Sequence, residues 1–114
     1  MDNMDNVDRY SNLIKQLLQE YASYKSLNKD IERQFVCDTK NHHYQIVNMG
    51  WQNKIRVYGC TLHLDIKDGK IWIQHNTTEI EIAEKLVNLG VPKHDIVIGF
   101  HSPFKRKFTE YAVN

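Results

Sequence analysis

Residues 57–81, VYGCTLHLDIKDGKIWIQHNTTEIE, decide the fold. They read as a long strand, a two-residue Asp68-Gly69 turn, a returning strand and the start of a helix. Asp-Gly between two alternating apolar runs is the strongest short-range hairpin signal, because glycine supplies φ > 0 in the turn without a Cβ clash. A two-residue turn pairs Ile66 with Ile71 and Leu64 with Ile73, and those four side chains share the core face. Asp65 opposite Trp72 and His63 opposite Gln74 then fall on the other face. Thr78 followed by Glu81 has the spacing of a capping box, in which hydroxyl and carboxylate each satisfy an orphan N–H.

Upstream, the third strand (54–66) changes its apolar register near Val57-Tyr58, and a slip beside Gly59 predicts a bulge there. Residues 44–51 carry Tyr44 and Ile46 on one face and Val47, Met49 and Trp51 on the other. Two-sided apolarity places that strand inside the sheet. Gln52-Asn53 makes a turn with Asn53 suited to αL. Residues 31–38 put Ile31, Phe35 and Cys37 on one side, with Arg33 the exception. Before them Val7, Tyr10, Leu13, Ile14, Leu17, Leu18, Tyr21 and Tyr24 form one stripe of a helix over 6–24. Asp5 or Asn6 suits its cap and Asp8 its dipole.

Downstream, Ile80, Ala83, Leu86 and Val87 give a second helix, Gly90 its C′ residue and Pro92 a firm stop. Residues 95–100 form a short apolar strand, broken at Ser102-Pro103. The remainder is one or two amphipathic turns or an extended tail. The order is α-β-β-β-β-α-β. Four strands in an antiparallel meander, a fifth short strand and helices packed on the sheet make this an α+β fold.

A length of 114 residues with 41% apolar and 25% charged residues fits one domain, 1–114, with an ordinary core. Net charge is +1, from 15 basic and 14 acidic residues, which argues against a dominant nucleic-acid footprint. No apolar run reaches a membrane span, and the polar, acidic start MDNMDNVDRY is no signal peptide. Cys37 and Cys60 lack C-x-x-C company and fall at apolar strand positions, so they read as reduced core residues. The expected location is the cytoplasm, away from any membrane.

Catalytic constellations are missing. His63-x-Asp65 with a distant His101 formally matches a two-His-one-carboxylate metal triad. Five strands do not build the barrel that normally houses it, so these read as paired polar residues, and no metal or cofactor is expected. His42-His43 lies at a turn where neighbours point apart. There is no G-x-S-x-G elbow, P-loop or G-x-G-x-x-G. The expectation is a protein that is not an enzyme.

One region is chemically uneven. Phe104, Lys105, Arg106, Lys107, Phe108 and Tyr111 interleave three cations with three aromatics, a combination that suits a protein partner or single-stranded nucleic acid. The plainer alternative is that Phe104, Phe108 and Tyr111 pack on the sheet while the cations are solvated.

The runs YGCTLHLDIKDGKIWIQHN (58–76) and GVPKHDIVIGFH (90–101), with RYSNLIKQLLQEYASYK (9–25) and DTKNHHYQIVNMGW (38–51), closely resemble the XisI family. These are excision-controlling factors for the fdxN DNA element. The resemblance spans essentially the whole chain. It implies a non-enzymatic accessory factor in programmed DNA rearrangement, one that binds an XisH-like companion and regulates a site-specific recombinase. The alternative is an excisionase-like protein that binds DNA directly through the basic C-terminal segment; otherwise DNA contact is indirect or weak. The two-sided strand ending in Trp51 also leaves room for a homodimer across the sheet.

Overall fold

The computed structural model describes residues 3–114. Its elements are α1 (Asn3–Ser23), β1 (Ile31–Asp38), β2 (His43–Gln52), β3 (Ile55–Lys67), β4 (Lys70–Asn76), α2 (Ile82–Asn88), a 3₁₀ turn (Lys93–Asp95), β5 (Ile96–Ile98) and a one-turn α3 (Pro103–Arg106). The sheet order follows the chain, β1-β2-β3-β4-β5. The first four strands are antiparallel neighbours, and β5 joins β4 in parallel. A parallel neighbour needs a crossover, and the segment carrying α2 supplies it.

The Asp68-Gly69 turn forms as its residues demand, with φ of +54° and +76°. Lys67 faces Lys70, Ile66 faces Ile71 and Leu64 faces Ile73. Leu62, Leu64, Ile66, Ile71 and Ile73 then meet the stripe Tyr10, Ile14 and Leu18 of α1 and Ile82 and Leu86 of α2 in one buried cluster. Both helices therefore cover the same face, called the inner face below. Two buried hydroxyls lock α1 to it. Ser11 Oγ and Tyr44 Oη share a hydrogen bond at 2.6 Å, and the Tyr10 hydroxyl donates to the Asp95 carboxylate.

Five local expectations are corrected. The helix α1 starts at Asn3, so Asp5 and Asn6 lie inside it and do not cap it. The bulge in β3 falls at Thr61, between the pairs Leu62–Ile46 and Cys60–Val47, and not beside Val57-Tyr58. The carbonyl of Thr61 is taken by the Thr77 amide at 2.9 Å, which turns the strand there. The slip moves Cys60 to the outer face, half-buried, while Cys37 is exposed near the end of edge strand β1; neither is a core residue. A second bulge at Gln74 sets His63 opposite His75 and not Gln74.

The capping box does not close either. Asn76 Oδ1 accepts from the Thr78 amide at 2.8 Å and its hydroxyl at 2.6 Å, an Asx turn that competes for the cap. Helix α2 begins later, at Ile82, with Glu81 at the cap position and no side-chain cap bond. Its other end matches expectation. Gly90 has φ +100°, its amide reaches Val87 O at 3.0 Å, and the Val91 amide reaches Leu86 O at 3.0 Å. That is a Schellman closure, which favours glycine at C′.

Candidate functional site

Two regions of the outer surface hold the chemistry. Alternation along β2, β3 and β4 sends His43, Gln45, His63, Asp65, Trp72 and Gln74 away from the helices. There Asp65 Oδ1 accepts from His43 Nδ1 at 2.8 Å and from His63 Nε2 at 2.7 Å. Gln74 Nε2 donates to Asp65 Oδ2 at 3.3 Å, and Gln45 Nε2 lies 3.3 Å from His63 Nδ1. Burial alone raises the Asp65 pKa, but the two imidazole hydrogen bonds together outweigh it and hold the carboxyl below its ordinary value. His43 is pushed up by its hydrogen bond to Asp65 and by that carboxylate's charge. Cross-strand register makes this cluster: His43 is the direct partner of Asp65, and His63 lies two residues before it on the same face.

His101, the third member of the triad considered from sequence, is elsewhere. It lines a groove of about 520 Å³ beside α2 with Lys93 and Glu110, which pair at 2.7 Å. Among the described residues the one group of three potential metal ligands is His43, His63 and Asp65. In sequence His43 carries no such signal, because His42 and His43 point apart at a turn. The strand pairing of His43 with Asp65 was the missing signal.

The second region is the C-terminal turn. Ser102 Oγ accepts the Lys105 amide at 3.3 Å, and Pro103 starts the helix, which fixes α3 in spite of its brevity. Phe104 is 66% and Phe108 76% exposed, with ring centroids 5.3 Å apart, so the two rings pack on one another outside the core. Lys107 Nζ stands 5.9 Å from the Phe104 centroid, and Lys105 is exposed. Tyr111 alone of the three aromatics packs against the core.

Arg106 turns inward. Its Nε donates to His101 O at 3.1 Å, Nη2 to Gly99 O at 3.2 Å and Nη1 to Val113 O at 3.4 Å. Its guanidinium carbon lies 5.2 Å from the centre of the Trp72 ring, and Lys67 Nζ lies 4.7 Å from the same centre. Beyond it the chain returns along β5, where Ala112 bridges Val97. The five residues 104–108 therefore divide into a buttress, Arg106, and a projecting group of Phe104, Lys105, Lys107 and Phe108. Exposed Phe100 lies nearby in sequence, stacked edge-on against His101.

Architecture and surface together define a helix-backed α+β protein with a mixed five-stranded sheet, an open outer face and a projecting aromatic–basic turn. No helix among the described residues is long and apolar enough to cross a membrane. The chain belongs to the XisI family: the family's model, described as XisI protein, matches residues 4–113. It is similar to the crystal structure of a XisI-like protein from Anabaena variabilis, with 48% identity and a TM-score of 0.89, over 95% of this chain and 99% of that one. A second crystal structure from the same organism, the fdxN element excision controlling factor XisI, matches with 32% identity and a TM-score of 0.83, over 96% and 99% of the two chains. No curated protein matches the sequence.

Proposed function

We propose that this chain is a non-enzymatic accessory factor controlling excision of a DNA element. In this reading it binds an XisH-like companion and acts through that protein on a site-specific recombinase. The observation that carries the reading is full-length similarity to an fdxN element excision controlling factor. The surface supports a binding role: Phe104 and Phe108 hold two aromatic rings in water beside Lys105 and Lys107. Exposed aromatic rings are among the residue types enriched at protein interfaces, and the flanking lysines set the charge that a partner's rim must match.

Co-expression of this chain with its XisH-like companion, followed by affinity capture and mass determination, tests the proposal. A complex of defined stoichiometry that is lost in a Phe104→Ala/Phe108→Ala variant supports it. Absence of any complex with a folded companion refutes it. Direct DNA binding through the same turn is the rival, resting on Lys105 and Lys107. With Arg106 engaged internally, two free cations limit the salt slope of duplex binding to about −2 per chain. Duplex binding with that slope, lost in Lys105→Ala/Lys107→Ala, would favour the rival; salt-insensitive or undetectable binding eliminates it.

A further inference from the structure

We propose that the outer sheet face carries a site for one first-row divalent metal ion, with Zn²⁺ as the reference ion, ligated by His43 Nδ1, His63 Nε2 and Asp65 Oδ1. Two imidazoles and one carboxylate form a borderline donor set of the kind that binds Zn²⁺, Co²⁺ or Ni²⁺. The three donor atoms already converge. Both nitrogens sit 2.7–2.8 Å from the same carboxylate oxygen, and all three atoms lie within 4.8 Å of one another. A tetrahedral ion with bonds of about 2.1 Å holds its ligands roughly 3.4 Å apart. Each N···O separation thus opens by roughly 0.6–0.7 Å, within the reach of small side-chain rotations.

The ligands stand on rigid elements. His43 and Asp65 are register partners in the central strands β2 and β3, so pairing of the strands fixes their spacing. An outer set of groups is also in place. Gln74 Nε2 donates to Asp65 Oδ2, which leaves Oδ1 turned towards both imidazoles. Gln45 Nε2 lies 3.3 Å from His63 Nδ1, and a half-turn of that carboxamide brings its oxygen to accept the Nδ1 proton once Nε2 holds the metal. Such partners fix ring orientation and tautomer at metal sites. Proton accounting is closed for neutral rings: His43 then carries its proton on Nε2, and His63 carries its own on Nδ1, towards Gln45.

Entry is open. The cluster borders a depression of about 330 Å³ lined by Val36, Cys37, Asp38 and Gln45 as well as the two histidines. His43 has a side chain 54% exposed, and Asp65 one 15% exposed, so the ion would reach three ligands from solvent and keep water in the remaining position. The negative charge of Asp38, beside the same depression, favours a cation there.

Titration of the full chain, stripped with EDTA and dialysed, with CoCl₂ tests this directly. The expected result is a saturable visible d–d band at one ion per chain, displaced by Zn²⁺. His63→Gln and Asp65→Asn should each weaken Co²⁺ binding by more than about tenfold, and Gln45→Ala by about tenfold, as outer partners do. His94→Gln, an exposed histidine on the 3₁₀ turn, should leave the affinity unchanged. No saturable band overturns the proposal, as does equal affinity in Gln45→Ala and Asp65→Asn. Should a ligand variant fail to fold, the wild-type band and the Gln45→Ala shift decide between a metal site and a plain hydrogen-bonded triad.

Discussion

Replacing Arg106 by alanine separates a buttress from a binding cation. Arg106 makes three donor contacts to carbonyls, at 3.1, 3.2 and 3.4 Å, and faces Trp72 at 5.2 Å. Hydrogen bonds from a charged donor contribute roughly 1.5–3 kcal/mol when buried; partial exposure here brings each to about 1 kcal/mol or less. The Trp72 contact adds about 0.5–1 kcal/mol. Together Arg106→Ala should destabilise the fold by about 3 kcal/mol. With a urea slope of about 1.5 kcal/mol/M, the midpoint falls by about 2 M at unchanged slope. Trp72 fluorescence shifts in the native baseline, since one of its two cationic neighbours is gone. Lys105→Ala and Lys107→Ala, by contrast, should stay within about 0.5 kcal/mol of the parent. Arg106→Lys keeps the charge but loses the planar fork, and should recover less than half the loss. A midpoint shift below about 0.5 M in Arg106→Ala would refute the buttress and return Arg106 to the free cations of the turn.

Three further outcomes follow from single contacts. Gly50 has φ +150°, and a Cβ there would stand 1.9 Å from Asp30 O and 2.8 Å from Ile31 Cα, so Gly50→Ala should cost about 3 kcal/mol or more in denaturant unfolding. Burial, then the bond to Asp95, pushes the Tyr10 pKa up to about 12; the protonated form is favoured by the fold, so that contribution is complete below pH 10 and is lost as pH rises towards 12. That loss is about 2–3 kcal/mol, and Tyr10→Phe should flatten the alkaline limb of a stability–pH curve. Cys37, exposed, should react promptly with a thiol reagent in the native protein, while Cys60, half-buried with its thiol raised by burial, should react slowly until urea is added; equal rates would refute the partial burial of Cys60.

The hairpin and the two helices were legible because their signals are local. Asp68-Gly69 forces a turn whatever surrounds it, and Tyr10, Ile14 and Leu18 mark a buried stripe by spacing alone. Features that depend on competition between neighbours were not legible. Thr78 and Glu81 carry a capping signature, yet Asn76 reaches Thr78 first and delays the helix. The bulge needed Thr77 to bind Thr61 across the β3–β4 pair, a contact invisible in the strand's own apolar pattern. The metal-like cluster was missed for the same reason. His63 and Asp65 announce a shared face by being two apart, but His43 joins them only through the register of β2 on β3, twenty residues away in sequence. The C-terminal turn was half legible: its composition marked it as uneven, while nothing in FKRKF distinguished the cation that bonds inward from the two that do not.

That distinction bears on what the turn is for. A C-terminal segment that had only to close the edge of β5 would do so through the Ala112–Val97 bridge and the Arg106 contacts alone. Phe104 and Phe108 add nothing to that closure, since most of each ring remains in water. Full burial of such side chains is worth about 1.5–3 kcal/mol each, and here most of it is unrealised. Arg106 and the Ser102 cap hold the turn in place, so a partner covering both rings would gain that burial without first ordering the segment. The same logic separates the two outer-surface sites. The His43–His63–Asp65 cluster is satisfied internally by hydrogen bonds and exchanges them for an ion, whereas the phenylalanine pair has no internal alternative. A folded surface therefore offers one site suited to a small cation and one suited to an apolar partner, and substitutions at either should leave the other's binding unchanged.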